Sequence, residues 1–240
     1  MRVLVFQHIA VEHPGIFRDF LAADAIAWDA VELDEGEPIP DLDAYDILFA
    51  MGGPMDVWEE DAHPWLVPEK RAIRDWVAAD RPFFGFCLGH QLLADALGGR
   101  VGPAGAPEVG IMDVELTEAG VADPLFAGIP RVSACMQWHS AAVLAPPGGA
   151  RVLAHSERCP VQAIRVGRFA YGLQYHVEVT EATADEWGCV PAYAESLEAA
   201  MGPGAGDRLE RAIARALPAL NRSARRIYDN VMSIASAAVG

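Results

Sequence analysis

The sequence predicts an α/β protein whose largely parallel sheet is covered by helices on both faces. Three apolar runs, at residues 3–6, 45–51 and 83–86, have the length and composition of buried strands. Segments with helical spacing of apolar residues lie between strands, and this alternation is typical of a parallel sheet. After Gly99 the pattern changes to closely spaced strands, which indicates an antiparallel or mixed extension of the sheet.

Each predicted element follows from its own apolar spacing and from the residues that end it. In the first half, strands are predicted at residues 3–6, 28–33, 45–51 and 83–86, and helices near residues 16–25, 68–79 and 90–97. Gly98 and Gly99 end the last of these helices. In the second half, strands are predicted at residues 112–116, 132–136, 152–155, 161–166 and 170–175.

The C-terminal part is predicted to be helical from Thr180 onward. Glycines and a proline break the pattern at residues 202–206, and an apolar stripe follows. The stripe consists of Leu209, Ile213, Leu217, Leu220, Ile227, Val231 and Ile234. Two interpretations stay open: a terminal helix packed on the core, or a docking surface for a partner or for a second copy in a homodimer. We take residues 1–190 as one domain and residues 191–240 as a helical extension packed on it.

Composition argues against several classes of partner. The chain has 18 Lys and Arg residues against 34 Asp and Glu residues, and the net charge of −16 disfavours nucleic acid and anionic membranes. No apolar run approaches the roughly 20 residues of a membrane helix. The apolar start, residues 1–6, lacks a convincing signal-peptide cleavage site, so a first strand and a cytoplasmic location are expected.

One of the four cysteines stands out by its context. The cysteines are Cys87, Cys135, Cys159 and Cys189, and no two have CxxC spacing, so we predict no zinc site, redox dithiol or other cofactor. Cys87 lies between Gly85 and Gly89, after an apolar strand and before a helix. This pattern is typical of a nucleophile elbow, in which a sharp turn projects the nucleophile from the sheet. The helix N-terminus would favour the thiolate form.

A thiol nucleophile needs a base, and the base needs a group that orients it. His176 and Glu178 offer both. On a strand, residues two positions apart point the same way, so the carboxylate of Glu178 would hold the imidazole while its other nitrogen faces sulfur. Both would have to meet Cys87 at one edge of the sheet.

A glycine pair after the strand at residues 45–51 suggests a third part of the same site. Acyl transfer develops negative charge on the carbonyl oxygen, and a fixed backbone N–H is worth roughly 3–4 kcal/mol there. Gly52 and Gly53 let the backbone approach closely. The N–H groups of Gly53 and Leu88 are therefore the candidate oxyanion donors.

Four segments together resemble the class I glutamine amidotransferases, a family with a Cys-His-Glu triad. The segments are MGGPMDVWEED, FFGFCLGHQLLADALGG, CMQWHS and FAYGLQYHVEVT, in this order within residues 1–190. Within the family, the chain most resembles stand-alone proteins similar to the amidotransferase domain of GMP synthetase. The resemblance implies a flavodoxin-like three-layer sandwich with a mostly parallel central sheet, a mixed extension and C-terminal helices. It also implies hydrolysis of a γ-glutamyl amide.

The resemblance assigns roles to individual positions. Cys87 would attack the side-chain amide of glutamine, His176 would move the proton, and Glu178 would orient His176. Gly52, Gly53 and Leu88 would form the oxyanion site. The residues expected to contact substrate are Gly52, Gln91, Gly110, Gln137, Trp138 and His139. For residues 136–139 the alternative, a strand end with a core tryptophan, stays open.

Two departures from the family pattern bear on function. The family usually has proline between its His and Glu, whereas this chain has Val177, which removes no catalytic group. The sequence also holds no Ser-Gly-Gly ATP-pyrophosphatase motif, no GxxxxGKS/T phosphate loop and no GxGxxG after the first strand. We therefore expect a separate synthetase subunit, if any, to receive the ammonia.

Three functions remain open at this point. The chain is a glutaminase that releases glutamate and ammonia, a hydrolase or transferase of other γ-glutamyl compounds such as peptides or amines, or a non-enzymatic binding or regulatory protein. An amine leaving group would need an open cleft. Loop residues that are candidates to border it are Glu12, His13, Trp58, Glu59 and Glu60. The intact Cys87, His176 and Glu178 argue against the third function.

Overall fold

Strands and helices alternate through the first hundred residues, as the apolar spacing predicts. The computed structural model describes residues 1–239 of the chain. Within them the strands are β1 (Arg2–Gln7), β2 (Ala27–Glu32), β3 (Ile47–Ala50), β4 (Phe83–Phe86), β5 (Arg100–Leu116), β6 (Val132–Ala145), β7 (Arg151–His155), β8 (Ala163–Val166) and β9 (Ala170–Leu173). The helices are α1 (Phe17–Ala23), α2 (Leu66–Ala78), α3 (Leu88–Ala96), α4 (Glu118–Val121), α5 (Thr183–Gly188), α6 (Pro191–Met201) and α7 (Ala205–Val239).

All strands of the described residues belong to one sheet, in the order β2-β1-β3-β4-β9-β8-β7-β5-β6. The first five strands in this order pair parallel, and the neighbours from β9 to β6 pair antiparallel. The parallel order is that of flavodoxin-like folds, in which ligands bind at the carboxyl ends of the strands. The predicted parallel sheet and its antiparallel extension are both confirmed.

Successive side chains of β1 are buried on opposite faces of the sheet. Val3 packs in a cluster with Phe17 of α1 and Ile227 of α7, whereas Leu4 packs in a cluster with Trp76 of α2. Because helices cover both faces, β1 needs apolar residues at every inner position and does not alternate with polar ones. The result is the three-layer arrangement that the sequence predicts.

The apolar stripe of α7 is buried against two parts of the molecule. Leu209 and Ile213 pack with Trp138 of β6, and further along the helix Ile227 and Val231 join the cluster that covers the parallel sheet. The division at residue 190 stays a prediction. Among the described residues, no helix, the long α7 included, is both long enough and apolar enough to cross a membrane.

Several strand predictions had the wrong length, and those at residues 45–51 and 161–166, for example, extend beyond β3 and β8. The strand expected at residues 112–116 begins at Arg100, and the one expected at 132–136 continues to Ala145. These two strands pair with each other, with a shift of register between Pro103 and Glu108, so the glycines and prolines of this segment are accommodated as an irregularity within the pair. The strand expected at residues 170–175 ends at Leu173.

Candidate active site

Cys87 forms the turn between β4 and α3, at the carboxyl end of the parallel strands. Its backbone has φ 47° and ψ −102°, in a region that residues other than glycine seldom adopt. The flanking glycines leave no room for side chains. A Cβ on Gly89 would lie 2.0 Å from the Ala50 carbonyl oxygen, and one on Gly85 would lie 2.5 Å from Gly89. The strained turn places the thiol at the N-terminus of α3, where the helix dipole favours a thiolate.

The carboxylate of Glu178 fixes the orientation of His176. His176 Nδ1 lies 2.6 Å from Glu178 Oε1, and Glu178 Oε2 accepts a hydrogen bond from the Val177 N–H at 2.8 Å. The expectation that the pair shares one face of a strand was wrong. β9 ends at Leu173, and His176 forms an isolated antiparallel bridge with Met136. A bend after β9, rather than strand alternation, brings the two side chains together.

His176 holds a proton more strongly than an ordinary imidazole. Burial disfavours the charged ring, but the Glu178 carboxylate and the Cys87 thiolate outweigh burial and raise the pKa of His176 well above its usual value. Because Nδ1 is engaged by Glu178 and Nε2 has no other partner within residues 1–239, Nε2 is the nitrogen left to interact with Cys87. The three groups can therefore exist as an imidazolium–thiolate pair held by a carboxylate.

The loop after β3 brings backbone N–H groups close to the thiol. The Gly89 N–H donates to the Met51 carbonyl at 3.0 Å, which ties this loop to the first turn of α3. Within residues 1–239, neither the Gly53 N–H nor the Leu88 N–H has an acceptor in the protein. Both residues line the same pocket as Cys87. Two unpaired donors beside a nucleophile suit the stabilisation of an oxyanion.

A pocket of about 90 Å³ opens beside the thiol. Six of the predicted site residues line it: Gly53, Cys87, Leu88, Gln91, Trp138 and His139. Three predicted substrate contacts lie outside this lining. Gly52 has the Glu12 carboxylate against its α-carbon, and Gly110 and Gln137 face each other across the β5–β6 pair, two residues beyond His139. The contacts of these three residues with a substrate stay a prediction.

Gln91 is connected to Cys87 through a second glutamine that the sequence argument missed. The Gln91 side-chain amide donates to the Ala141 carbonyl and to Gln174 Oε1, each at 3.2 Å. Gln174 in turn points its Nε2 at Cys87 Sγ, 3.6 Å away. A donor aimed at sulfur favours the thiolate over the thiol. The only signal in the sequence was the position of Gln174, two residues before His176.

His139 lines the pocket with both ring nitrogens occupied. Nδ1 lies 3.0 Å from the Ala141 carbonyl, and Nε2 lies 3.2 Å from Glu108 Oε2. Ser156 and Gln162 also donate to Glu108. Burial would raise the pKa of Glu108, but the hydrogen bonds from His139 and Ser156 lower it overall. This network holds the pocket wall and engages both ring nitrogens of His139.

The helices after Glu178 form a cover over the site that the sequence argument did not foresee. Trp187 of α5 lies edge-on to the His176 ring, with the ring centroids 4.6 Å apart. Tyr193 and Ser196 of α6 line the pocket, and the Trp138 indole donates to Ser196 Oγ at 2.8 Å. This aromatic cover shields the imidazole from water.

Glu12 was expected at the border of an open cleft but is buried next to the triad. Its Oε1 accepts a hydrogen bond from the Tyr193 hydroxyl at 2.5 Å, and its Oε2 has no partner among the described residues. Burial raises the pKa of Glu12, although His176 opposes the shift. Of the other loop residues expected there, His13, Trp58, Glu59 and Glu60, none lines the pocket.

Within residues 1–239, two groups of side chains have donor atoms close enough together to hold a metal ion. They are Glu12 with His176 and Glu178, and Glu108 with His139 and Cys159. In both groups the histidine nitrogens or carboxylates are already paired with one another. Burial also raises the pKa of Cys159 to about 11, and a protonated thiol is a poor ligand. The chemistry of the donors therefore favours hydrogen-bonded clusters over metal sites.

The constellation has relatives among known proteins. Residues 23–187 match the family model for glutamine amidotransferase class-I. This chain belongs to the class-I glutamine amidotransferase family. The span matched by the glutamine amidotransferase model contains Cys87, His176 and Glu178, begins after β1 and ends before α6.

Individual class-I glutamine amidotransferase relatives agree with this assignment. The glutamine amidotransferase-like protein YfeJ of Salmonella typhimurium is 36% identical over 189 residues, which cover 75% of this chain and 77% of that protein. One subunit of the glutamine-hydrolyzing GMP synthase of Sulfurisphaera tokodaii is 34% identical over 151 residues, covering 62% of this chain and 76% of that one. The crystal structure of a glutamine amidotransferase from Thermotoga maritima superposes with a TM-score of 0.86 at 28% identity, covering 96% of this chain and 97% of that chain.

Proposed function

We propose that this protein hydrolyses the γ-amide of glutamine through a thioester on Cys87 and releases glutamate and ammonia. The observation that carries this proposal is that Cys87 and Glu178 both interact with His176, while Cys87 lines a pocket with two residues whose N–H groups have no acceptor within residues 1–239. Membership of the glutamine amidotransferase family supports the same substrate class.

In the first step, the Cys87 thiolate attacks the amide carbon and the C–S bond forms. The electron pair of the carbonyl moves to oxygen, and the Gly53 and Leu88 N–H groups donate hydrogen bonds to the resulting oxyanion. His176 Nε2 holds the proton taken from sulfur, and Glu178 stabilises the resulting imidazolium. The raised pKa of His176 supports this role.

In the second step, the tetrahedral intermediate collapses. His176 Nε2 donates its proton to the amide nitrogen, the C–N bond breaks and ammonia leaves. A water molecule then attacks the thioester carbon while His176 takes the water's proton. The C–S bond breaks, glutamate is released, and the proton returns to the Cys87–His176 pair. No electrons are transferred, so the cycle needs no redox cofactor.

The test is glutamate release from L-glutamine by the purified chain, with Cys87→Ala and Cys135→Ala as a matched pair. Both cysteines are buried, but Cys135 lies away from the pocket. We expect turnover, and labelling by a glutamine-mimicking chloroketone, in the wild type and in Cys135→Ala but not in Cys87→Ala. Retained turnover in a folded Cys87→Ala variant would overturn the proposal.

A second candidate, hydrolysis of a γ-glutamyl amine, is favoured by Asp56. This carboxylate lines the pocket, and burial together with nearby Glu59 raises its pKa. A carboxylate at the pocket would attract a cationic leaving group. Comparing Asp56→Asn with the wild type on glutamine and on a γ-glutamyl diamine separates the candidates. A selective loss of kcat/KM for the diamine supports the second candidate, whereas an equal loss on both substrates supports glutamine.

Transfer of the ammonia to a separate synthetase subunit is part of the proposal. It is supported by the likeness to single subunits of glutamine-hydrolyzing GMP synthases, whose names mark each of them as one part of a larger enzyme. A chain that the chloroketone labels rapidly but that turns glutamine over slowly is the expected behaviour of such a subunit. The homodimer stays a prediction, and sedimentation of the purified chain at two concentrations checks it.

A further inference from the structure

A buried ion pair contacts the loop of Gly52 and Gly53, which carries one of the two candidate oxyanion donors. His8 follows β1, Glu69 lies on α2, and both side chains are fully buried. His8 Nε2 lies 2.8 Å from Glu69 Oε1, and His8 Nδ1 lies 2.9 Å from the carbonyl oxygen of Gly52. The indole of Trp65 stacks on the imidazole, with the ring centroids 5.4 Å apart and the planes 15° apart. Neither His8 nor Glu69 takes part in the proposed mechanism.

The hydrogen-bond partners define the state of His8. A carbonyl oxygen only accepts hydrogen bonds, so Nδ1 must carry a proton. Burial disfavours a charged ring, but Glu69 and the Gly52 carbonyl outweigh it and raise the pKa of His8, with a smaller contribution from Glu12. The imidazole is thus held between a carboxylate and a peptide carbonyl, an arrangement that favours its cationic form.

The bond to Gly52 determines where the next N–H points. The Gly52–Gly53 peptide is trans, and in a trans peptide the C=O and the N–H point in opposite directions. With the Gly52 oxygen held by His8, the Gly53 N–H faces away from His8. Gly53 lines the pocket together with Cys87, and its N–H has no acceptor within residues 1–239, so this N–H is available to an oxyanion bound in the pocket.

The same peptide is confined by close packing. A Cβ on Gly52 would lie 2.5 Å from Glu12 Oε2, and one on Gly53 would lie 2.9 Å from Leu88 Cδ2 and 3.0 Å from His8 Cβ. A hydrogen bond from a cation to the carbonyl also polarises the peptide and makes its N–H a stronger donor. The contact with His8 and the close packing therefore set both the position of the Gly53 N–H and its strength as a donor.

We propose that His8, oriented by Glu69, is a positioning residue that fixes the Gly52 carbonyl and thereby aims the Gly53 N–H at the oxyanion of the tetrahedral intermediate. This inference rests on the proposed function. A purely structural ion pair between β1 and α2 is the alternative, and the two differ in what they predict. A positioning role affects the stabilisation of the oxyanion, whereas a structural role affects folding alone.

The variants are chosen so that no buried charge is left alone, because an unpaired buried charge would unfold the protein. His8→Leu/Glu69→Met replaces the pair by apolar groups of similar volume. His8→Asn/Glu69→Met differs from it by one amide, whose nitrogen lies where Nδ1 was and can donate to Gly52. Thermal unfolding is the control that checks whether both double variants are folded.

Three readouts separate positioning from structure. We expect His8→Leu/Glu69→Met to lose about 10- to 100-fold in kcat with KM nearly unchanged, less than the loss of a whole oxyanion donor. Its affinity for a glutamate γ-aldehyde, which forms a tetrahedral adduct on Cys87, should fall by the same factor. Alkylation of Cys87 by iodoacetamide, which develops no oxyanion, should be unchanged. His8→Asn/Glu69→Met should recover most of the kcat.

The outcomes also separate this inference from the proposed function. If the folded His8→Leu/Glu69→Met variant turns glutamine over as fast as the wild type, the inference alone is overturned. A loss of alkylation in parallel with kcat also overturns it, because the damage would then reach the thiol itself. A wild-type chain that neither cleaves γ-glutamyl amides nor binds the aldehyde overturns the proposed function, and the inference with it.

Discussion

The Tyr193 hydroxyl donates to Glu12 Oε1 at 2.5 Å, although 181 residues separate the two in the chain. Glu12 lies in the loop after β1, beside His176, and Tyr193 lies on α6. The hydrogen bond therefore connects the C-terminal helices with the surroundings of the candidate triad. Together with the pocket-lining residues of α6, it makes this helix one wall of the candidate site.

A bulky residue at a pocket-lining position of α6 should obstruct the pocket. Ala192 lines the pocket of about 90 Å³, and Ala199 lies on the same helix without lining it. We expect Ala192→Phe to lower kcat/KM for glutamine by about tenfold or more, since the ring competes with substrate for a small volume. Ala199→Phe carries the same loss of helix propensity and should behave like wild type in steady-state kinetics. Equal kinetics in both variants would contradict the assignment of α6 as a wall.

The strained backbone of Cys87 should make glycine more stable than alanine at this position. With φ at 47°, a Cβ costs about 1 kcal/mol or more, and glycine avoids that cost. We expect Cys87→Gly to have a higher free energy of unfolding than Cys87→Ala in urea. At Cys135, in β6, the order should reverse, because an extended residue loses entropy when it is replaced by glycine. The same order at both sites would argue against strain at the elbow.

The proton on His176 should depend on Glu178. Because the pKa of His176 is raised in the folded state, its contribution to stability is fully present below the unfolded pKa of about 6.5 and is lost as pH rises through the folded pKa. Glu178→Gln should therefore lower the pKa of His176, followed by NMR. Its loss of stability relative to wild type should be largest at acidic pH and shrink at alkaline pH. The exposed Glu181→Gln is the control, and a pH-independent difference for Glu178→Gln would contradict the ion pair.

Gln174 should sustain the reactivity of Cys87. Its Nε2 points at the sulfur from 3.6 Å, so Gln174→Leu removes a donor that favours the thiolate. We expect the rate of iodoacetamide alkylation at neutral pH to fall by up to about tenfold. Gln162→Leu also removes a buried amide but breaks contacts with Glu108 instead of Cys87, so it should leave alkylation unchanged. An equal fall in alkylation in both variants would mean that the loss of a buried amide loosens the structure, and would contradict a specific effect of Gln174 on Cys87.

Much of the site could be predicted because its parts are local. The Gly85-Phe86-Cys87-Leu88-Gly89 turn needs small residues where Gly89 meets Ala50, and this requirement is visible in the sequence. The His176–Glu178 pair was predicted for a partly wrong reason, since a bend and not a strand joins the two residues. A spacing of two residues suits both geometries, so the two side chains meet as predicted although the strand was not.

The sequence by itself determined the alternation of strands and helices, the parallel pairing expected from it, the elbow at Cys87 and the glycine pair at Gly52 and Gly53. These features depend on apolar periodicity and on backbone conformations that few residues allow. Only the tertiary structure decided that Glu12 is buried beside the triad, that Gln174 reaches Cys87, that α6 closes the pocket and that His8 holds the Gly52 carbonyl. Each of these contacts joins segments far apart in the chain. They depend on how the helices pack on the sheet, and no local pattern of residues records that.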